Sequence, residues 1–266
     1  MDSLADTAVS LKAYAVAAWL VVFFVAERLF PADRAAAAEP FAPAKLHRLG
    51  RNAVLFLVNF ALSPLIVVPV TAYAASVHPV WRPGWWHGGL DLALDILLLD
   101  FLIYWWHRAN HEVPFLWRFH SVHHLDATLD STSAVRFHFG EVLLSAFARA
   151  GVILLIGFSL ASVLVFETLV LVAAIFHHSN LAIPPAFEKI LSRVVITPAI
   201  HWVHHHARRV DTDSNYGTLF SFWDPLFRSR SRARREPGMA IGIEGKPEET
   251  LPDLLFHPFR PGNRIY

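Results

Sequence analysis

Apolar positions gather into five long runs separated by short polar stretches, and their lengths predict helices that cross or enter a membrane. From about Ala8 to Phe30 the chain is nearly unbroken Ala, Val, Leu, Phe and Trp, long enough for one helix to cross a hydrocarbon core of roughly 30 Å. A cleaved signal peptide is the alternative for this run, supported by the alanines at 35–38 and opposed by the acidic character of the first residues. Ala53 to Ala75 is a second span, in which Pro64 and Pro69 predict a kink that neighbouring helices accommodate. Leu90 to Trp106 is the third, and its Asp91, Asp95 and Asp100 are expected to face the bundle interior or the membrane edge. Glu141 to Ser159 and Leu160 to Phe176 meet at Gly157 to Ser159 with almost no polar residue between them, which predicts a tight helical hairpin, either crossing twice or re-entrant.

From about Leu181 the pattern turns polar and basic, which predicts an extramembrane cap. The expected fold is therefore all-α: an integral membrane bundle of about four or five membrane-embedded helices with a cytosolic histidine-rich helical cap. The loop between the first two spans holds Arg28, Arg34, Lys45, Arg48 and Arg51, whereas the next loop holds only Arg82. The positive-inside rule then places Lys45 and Arg208 in the cytoplasm and Arg82 on the far side. That assignment puts every histidine cluster on one cytoplasmic face, in a bacterial inner membrane or, in a eukaryote, the endoplasmic reticulum.

Composition supports a membrane setting, with 55% hydrophobic residues, 17% charged and a mean hydropathy of +0.40. No linker or low-complexity tract divides the chain, so residues 1–266 are expected to form one domain with its histidine core at about 90–228. Cysteine is absent, which excludes disulfides, thiolate zinc sites and iron–sulfur clusters and leaves nitrogen and oxygen as metal donors. A net charge of +1 gives no global attraction to nucleic acid, although Arg228, Arg230, Arg232, Arg234 and Arg235 form a local basic run suited to an acidic protein, to anionic lipid or simply to solvent.

The candidate chemistry lies in histidine spacing. His107 and His111 stand four apart, and His120, His123 and His124 form a triplet that His201, His204 and His205 repeat. On helices each group projects to one side, and eight imidazoles exceed the three or four protein ligands of one ion, which implies two metals close together. His138 and His178 lie just outside predicted spans on the same side and are candidates to join as ligands or to support them. His47, His78, His87 and His257 have no partner at ligand spacing and are expected to be structural.

The ordered segments HRANH, HSVHH, RFH, HHSN, HWVHHH, NYG and WDPLF, between roughly Leu90 and Arg228, resemble the fatty acid hydroxylase/sterol desaturase superfamily of integral membrane non-haem di-iron oxygenases. The resemblance implies two iron ions, with zinc as a possible substitute, together with O2 and a separate electron-donor protein, acting to hydroxylate, desaturate or cleave a membrane lipid such as a sterol, a fatty acyl chain or an alkyl lipid. It implies metal ligation by His107, His111, His120, His123, His124, His201, His204 and His205, with auxiliary His138 and His178. Members often carry proline after the RFH histidine, where this chain has Phe139, and the extra His177 and His206 leave the ligand register open by one position.

No GxGxxG on a strand–helix unit and no CxxCH is present, so no nicotinamide, flavin or c-type haem site is expected and electrons must arrive from outside. A zinc-dependent hydrolase is one alternative, but His111-Glu112 is not completed into HExxH; a non-enzymatic haem- or metal-binding membrane protein is another. Asp100 precedes His107 by seven residues and His111 by eleven, near one stripe of the third helix, and is expected to serve the site by bonding a histidine from another box.

Overall fold

The computed structural model describes residues 2–40, 42–77, 82, 83, 85, 86 and 89–260, with side chains of the first helix from Tyr14 onward. His78 and His87 lie outside the described residues. Each expected apolar run falls on a helix: α1 (Asp2–Leu29), α2 (Pro43–Ser76), α3 (Gly89–Glu112), α5 (Phe139–Ile156) and α6 (Leu160–His178), with α4 (Pro114–His124) between α3 and α5 and α7 (Pro198–His204) after the hairpin. The described residues contain no strand, only the isolated bridges Pro31–Leu181, Val195–Phe220 and His206–Ile241.

Local chemistry sets the boundaries. The kink expected in α2 takes the form of a π-turn over Ser63–Val67, where the Val68 N–H reaches the Ser63 carbonyl. Pro64 and Pro69 lack N–H groups and crowd the preceding turn, and widening the helix relieves that clash. α3 runs past the expected end of its span to Glu112, so His107 and His111 share a rigid helix with the apolar residues before them. Pro114 then starts α4, because proline favours the first turn of a helix over its interior. The hairpin turns at Gly157, which caps α5 at φ 79°, and Ser159 caps α6 by accepting from the Ser162 N–H.

Among the described residues, α2, α5 and α6 are long and apolar enough to cross a membrane. Only 6% of the apolar stretch of α2 is buried, so Phe56, Leu57, Phe60 and Leu65 need an apolar surrounding that water cannot supply. α3 is less apolar because of its carboxylates, two of which share one arginine. Arg82 binds Asp91 at 2.6 Å and also Asp95, and donates to the Gly157 carbonyl of the hairpin turn. At this end Ala74, Leu99, Ile153, Phe158, Val163 and Phe166 form an apolar core.

At the other end the interior is polar. Arg48 of α2 is buried and grips Asp126 and Asp130, which follow α4, while Asn52 bonds both Asp126 and the buried Arg136. This network ties α2 to the segment carrying the first histidine triplet. Burial alone would raise Asp126, but the Arg48 and Arg136 guanidinia outweigh it and hold its carboxyl at about 2.

Candidate metal centre

Two sets of imidazoles converge at the polar end. His107, His111, His120, His124 and His204 form one, and His123, His178, His201 and His205 form the other; within each set the candidate donor atoms lie within 4.8 Å of one another. The matching triplets are shared out reciprocally. From α4, His120 and His124 enter the first set and His123 the second, whereas from the α7 segment His201 and His205 enter the second and His204 the first. Helix geometry explains the division. Residues i and i+4 lie about 40° apart around a helix, while i+3 and i+4 lie about 100° apart, so a helix wedged between two sites gives its outer pair to one and its middle histidine to the other. The sets adjoin, with the His124 and His205 rings stacked at 4.3 Å.

Hydrogen bonds select the tautomers. His107 Nδ1 faces the Tyr216 carbonyl at 2.9 Å, His120 Nδ1 the Glu141 carboxylate at 2.7 Å, and His204 Nδ1 the Ser214 carbonyl at 2.6 Å. Likewise His123 Nδ1 faces the Arg136 carbonyl at 3.1 Å and His178 Nδ1 the Ala174 carbonyl at 2.7 Å. Each acceptor fixes a proton on Nδ1 and leaves Nε2 as a bare lone pair. His123 and His178 then bring two bare Nε2 atoms to 3.1 Å, while His201 Nε2 is 3.0 Å from His178 Nε2 and 3.1 Å from His205 Nε2. Facing lone pairs repel unless a cation lies between them. Donors about 2.1 Å from a shared ion would stand about 3.0 Å apart at a right angle, so these spacings fit one ion.

The first set passes the same test differently. The Nε2 atoms of His111, His120, His124 and His204 are buried without a hydrogen-bond partner, an arrangement that metal binding would satisfy. Burial, followed by repulsion among the clustered rings, holds His123, His124, His201 and His205 well below the usual imidazole range. Burial brings His204 to about 3 although the Ser214 carbonyl opposes the shift. These rings are neutral near pH 7, the form that binds a metal.

Nine of the ten expected ligands are thus brought together, and of the two pairs left open it is His178 and His205 that enter a set. His206 turns away to Asp211 at 2.9 Å. His177 is buried with its ring 4.0 Å from that of His201, but belongs to neither set. His138 is the departure. It caps α5, with Nδ1 accepting from the Gly140 N–H at 2.9 Å and Nε2–H donating to the Leu255 carbonyl at 3.1 Å, so both ring nitrogens are occupied. Of the rings expected to be structural, His257 bonds Glu249 at 3.0 Å.

Asp100 also differs from expectation. Among the described residues it bonds no histidine; it accepts the Leu219 and Phe220 N–H groups at 3.0 and 3.1 Å and the Trp223 indole N–H at 2.8 Å. Its link to the centre is indirect, because the segment it anchors begins beside Tyr216, whose carbonyl orients His107. The carboxylate that does meet a clustered histidine is Glu141, through His120. Gly140 makes this possible, since a Cβ there would stand 2.6 Å from the Phe119 ring, and its absence lets the start of α5 lie against α4. The sequence signal was a carboxylate three positions after His138 in RFHFGE.

Glu112, the base a zinc hydrolase would need, is half exposed and pairs with Arg108 at 2.7 Å. A haem iron takes one or two axial protein ligands, whereas these sets gather five and four imidazoles.

Residues 92–229 match the model of the family described as fatty acid hydroxylase. The chain is 28% identical to the ornithine lipid hydroxylase OlsE of Rhizobium tropici over 74% of this chain and 58% of that protein. It is 31% identical to a cholesterol 25-hydroxylase-like protein of Danio rerio over 66% of this chain and 67% of that protein. It is 29% identical to the alkylglycerol monooxygenase of Caenorhabditis elegans over 54% of this chain and 28% of that protein. The matched parts thus span from about a quarter to two thirds of these relatives. No solved structure matches the chain.

Proposed function

The chain belongs to the fatty acid hydroxylase family, and from that premise we propose that it is a membrane-embedded oxygenase that hydroxylates a lipid, using two iron ions, O2 and electrons from a separate protein. The observation that carries this reading is the reciprocal sharing of the two histidine triplets, which builds two adjacent all-nitrogen sets. His107, His111, His120, His124 and His204 would hold one ion and His123, His178, His201 and His205 the other. Iron bound there would supply the activation of O2 needed to attack an unactivated C–H bond. In the overall balance one oxygen atom enters the substrate and the other leaves as water, with two electrons and two protons consumed.

The protein's own groups do the positioning. The carbonyls of Tyr216, Ser214, Arg136 and Ala174 and the Glu141 carboxylate keep Nδ1 protonated on His107, His204, His123, His178 and His120 and leave their Nε2 atoms free to bind. Eight of the nine histidines are fully buried and His107 partly so, which limits water at the centre. The proposed membrane bundle comprises α1, α2, α3, α5 and α6, with the centre at its cytoplasmic end and the whole chain one domain. A lipid entering from the bilayer would keep its head group near the interface and present a carbon of its chain or ring beneath the histidines. The substrates named for the relatives, an ornithine lipid, cholesterol and alkylglycerols, share that amphipathic form.

The test is mass spectrometry of lipids from cells with and without the protein, grown under 18O2, with His124→Ala as the second control. One lipid gaining a single labelled oxygen only with the intact protein is expected. Identical lipid profiles in all three cultures would overturn the reading.

A further inference from the structure

The basic run after Trp223 is ordered by alternation. Ser229 turns inward, its hydroxyl 2.7 Å from both Asp224 and the Tyr104 hydroxyl, and the Ser231 hydroxyl donates to Asp211 at 2.9 Å. Arg228, Arg230, Arg232 and Arg234 are exposed, and no ion pair or side-chain hydrogen bond within the described residues engages them. Arg228 stands in a turn at φ 59° and the chain bends at Arg232, so the four guanidinia make a short, bent basic rail over seven residues.

Asn215 fastens this rail to the metal centre. Its N–H donates to the Ser229 carbonyl at 2.9 Å, and its side-chain oxygen accepts from the Ser231 N–H at 3.0 Å. The residues on either side of Asn215 are Ser214 and Tyr216, whose carbonyls orient His204 and His107. A partner seated on the rail is therefore two hydrogen-bonded steps from two ligands of the first set.

We propose that the Arg228–Arg234 rail is the docking surface for an acidic one-electron carrier protein that supplies the two electrons of each turnover in two separate visits. This rests on the oxygenase reading above. Two visits per turnover call for an interface that forms and parts quickly, and charge steering over a small area provides that. Direct attachment to the histidine-orienting segment favours a protein over a lipid surface, which does not need it.

The experiment uses the full-length protein in nanodiscs, an acidic plant-type ferredoxin as probe, and equilibrium binding measured at several salt concentrations. Arg230→Glu/Arg232→Glu is compared with Arg34→Glu/Arg193→Glu, an equal charge change at exposed sites off the rail. The rail variant is expected to bind roughly ten- to a hundred-fold more weakly at low salt, the control within about threefold of the unaltered protein. Equal affinity in all three proteins, including no binding in any, overturns the proposal. So does a rail variant that differs only in its stabilisation by phosphatidylglycerol over phosphatidylcholine discs, since the rail would then meet lipid. Dithionite separates the two levels. Bleaching of the iron-loaded protein and of the rail variant alike leaves the oxygenase reading standing whatever ferredoxin does, whereas iron inert to dithionite sinks that reading and leaves docking to the binding data.

Discussion

His120 and Glu141 meet in the interior with Nδ1 2.7 Å from Oε1, although 21 residues separate them in the chain. A carboxylate behind a ligand imidazole fixes its orientation and raises its basicity, so Glu141 should govern how tightly the first set holds its ion. Glu141→Ala is expected to weaken metal retention by roughly ten- to a hundred-fold, and Glu141→Gln by less, because its amide oxygen can still accept the Nδ1 proton. Metal content after graded chelator dialysis measures both. Retention by the alanine variant equal to that of the unaltered protein would remove Glu141 from the centre.

The division of the triplets makes a stoichiometric prediction. The unaltered protein should hold about two first-row ions, whereas His204→Ala, which strips the first set, and His123→Ala, which strips the second, should each retain about one. Elemental analysis decides it. Zinc found in place of iron after overexpression is compatible with the scheme, because nitrogen donors favour zinc over Fe²⁺. Undiminished metal in both variants would show that these histidines do not bind ions.

Asp100 acts at one remove, through the 219–223 segment and the Tyr216 carbonyl on His107. Asp100→Asn keeps one acceptor but places an amide N–H against donors, and roughly tenfold weaker metal retention with normal membrane insertion is expected. Asp91→Asn should have little effect on the metal, since Asp91 stands about 24 Å from His107 along α3 and pairs with Arg82. Equal losses in the two variants would contradict the indirect link.

Arg48 and Asp126 form a buried pair whose loss leaves a charge without its partner. Arg48→Ala is expected to destabilise the metal-free protein by roughly 3–5 kcal/mol, read as a lower unfolding temperature in detergent. The pH sign follows from the carboxyl held at about 2 against an ordinary 3.8. Its contribution is complete above about pH 4 and is lost as the pH falls toward 2. If Arg48→Ala and the unaltered protein lose stability in parallel over that range, the pair is not its source.

Orientation is testable because the chain has no native thiol. Cysteines at 45 and 208 should be shielded from an impermeant reagent added outside intact cells, and one at 82 labelled. Labelling of 208 but not 82 would reverse the proposed topology.

The sequence by itself determined the helices and their chemistry. Long apolar runs make helices whatever lies beside them in a membrane, Gly157 and Ser159 end and restart the chain locally, and spacings of three and four fix the angle at which each histidine leaves its helix. Which site a histidine serves was decided only by tertiary structure, because that depends on what stands opposite each face. His123 and His124 are neighbours in the chain, about 100° apart around α4, and look into different sets. His178 enters the second set while His177 lies beside it, and His205 enters while His206 pairs with Asp211. His138 has the right residue type and the right neighbourhood, yet its lone pair went to the Gly140 N–H when α5 needed a cap. Glu141 found His120, and Asp100 a backbone turn, because a carboxylate buried in a bundle takes the nearest donors that folding brings to it.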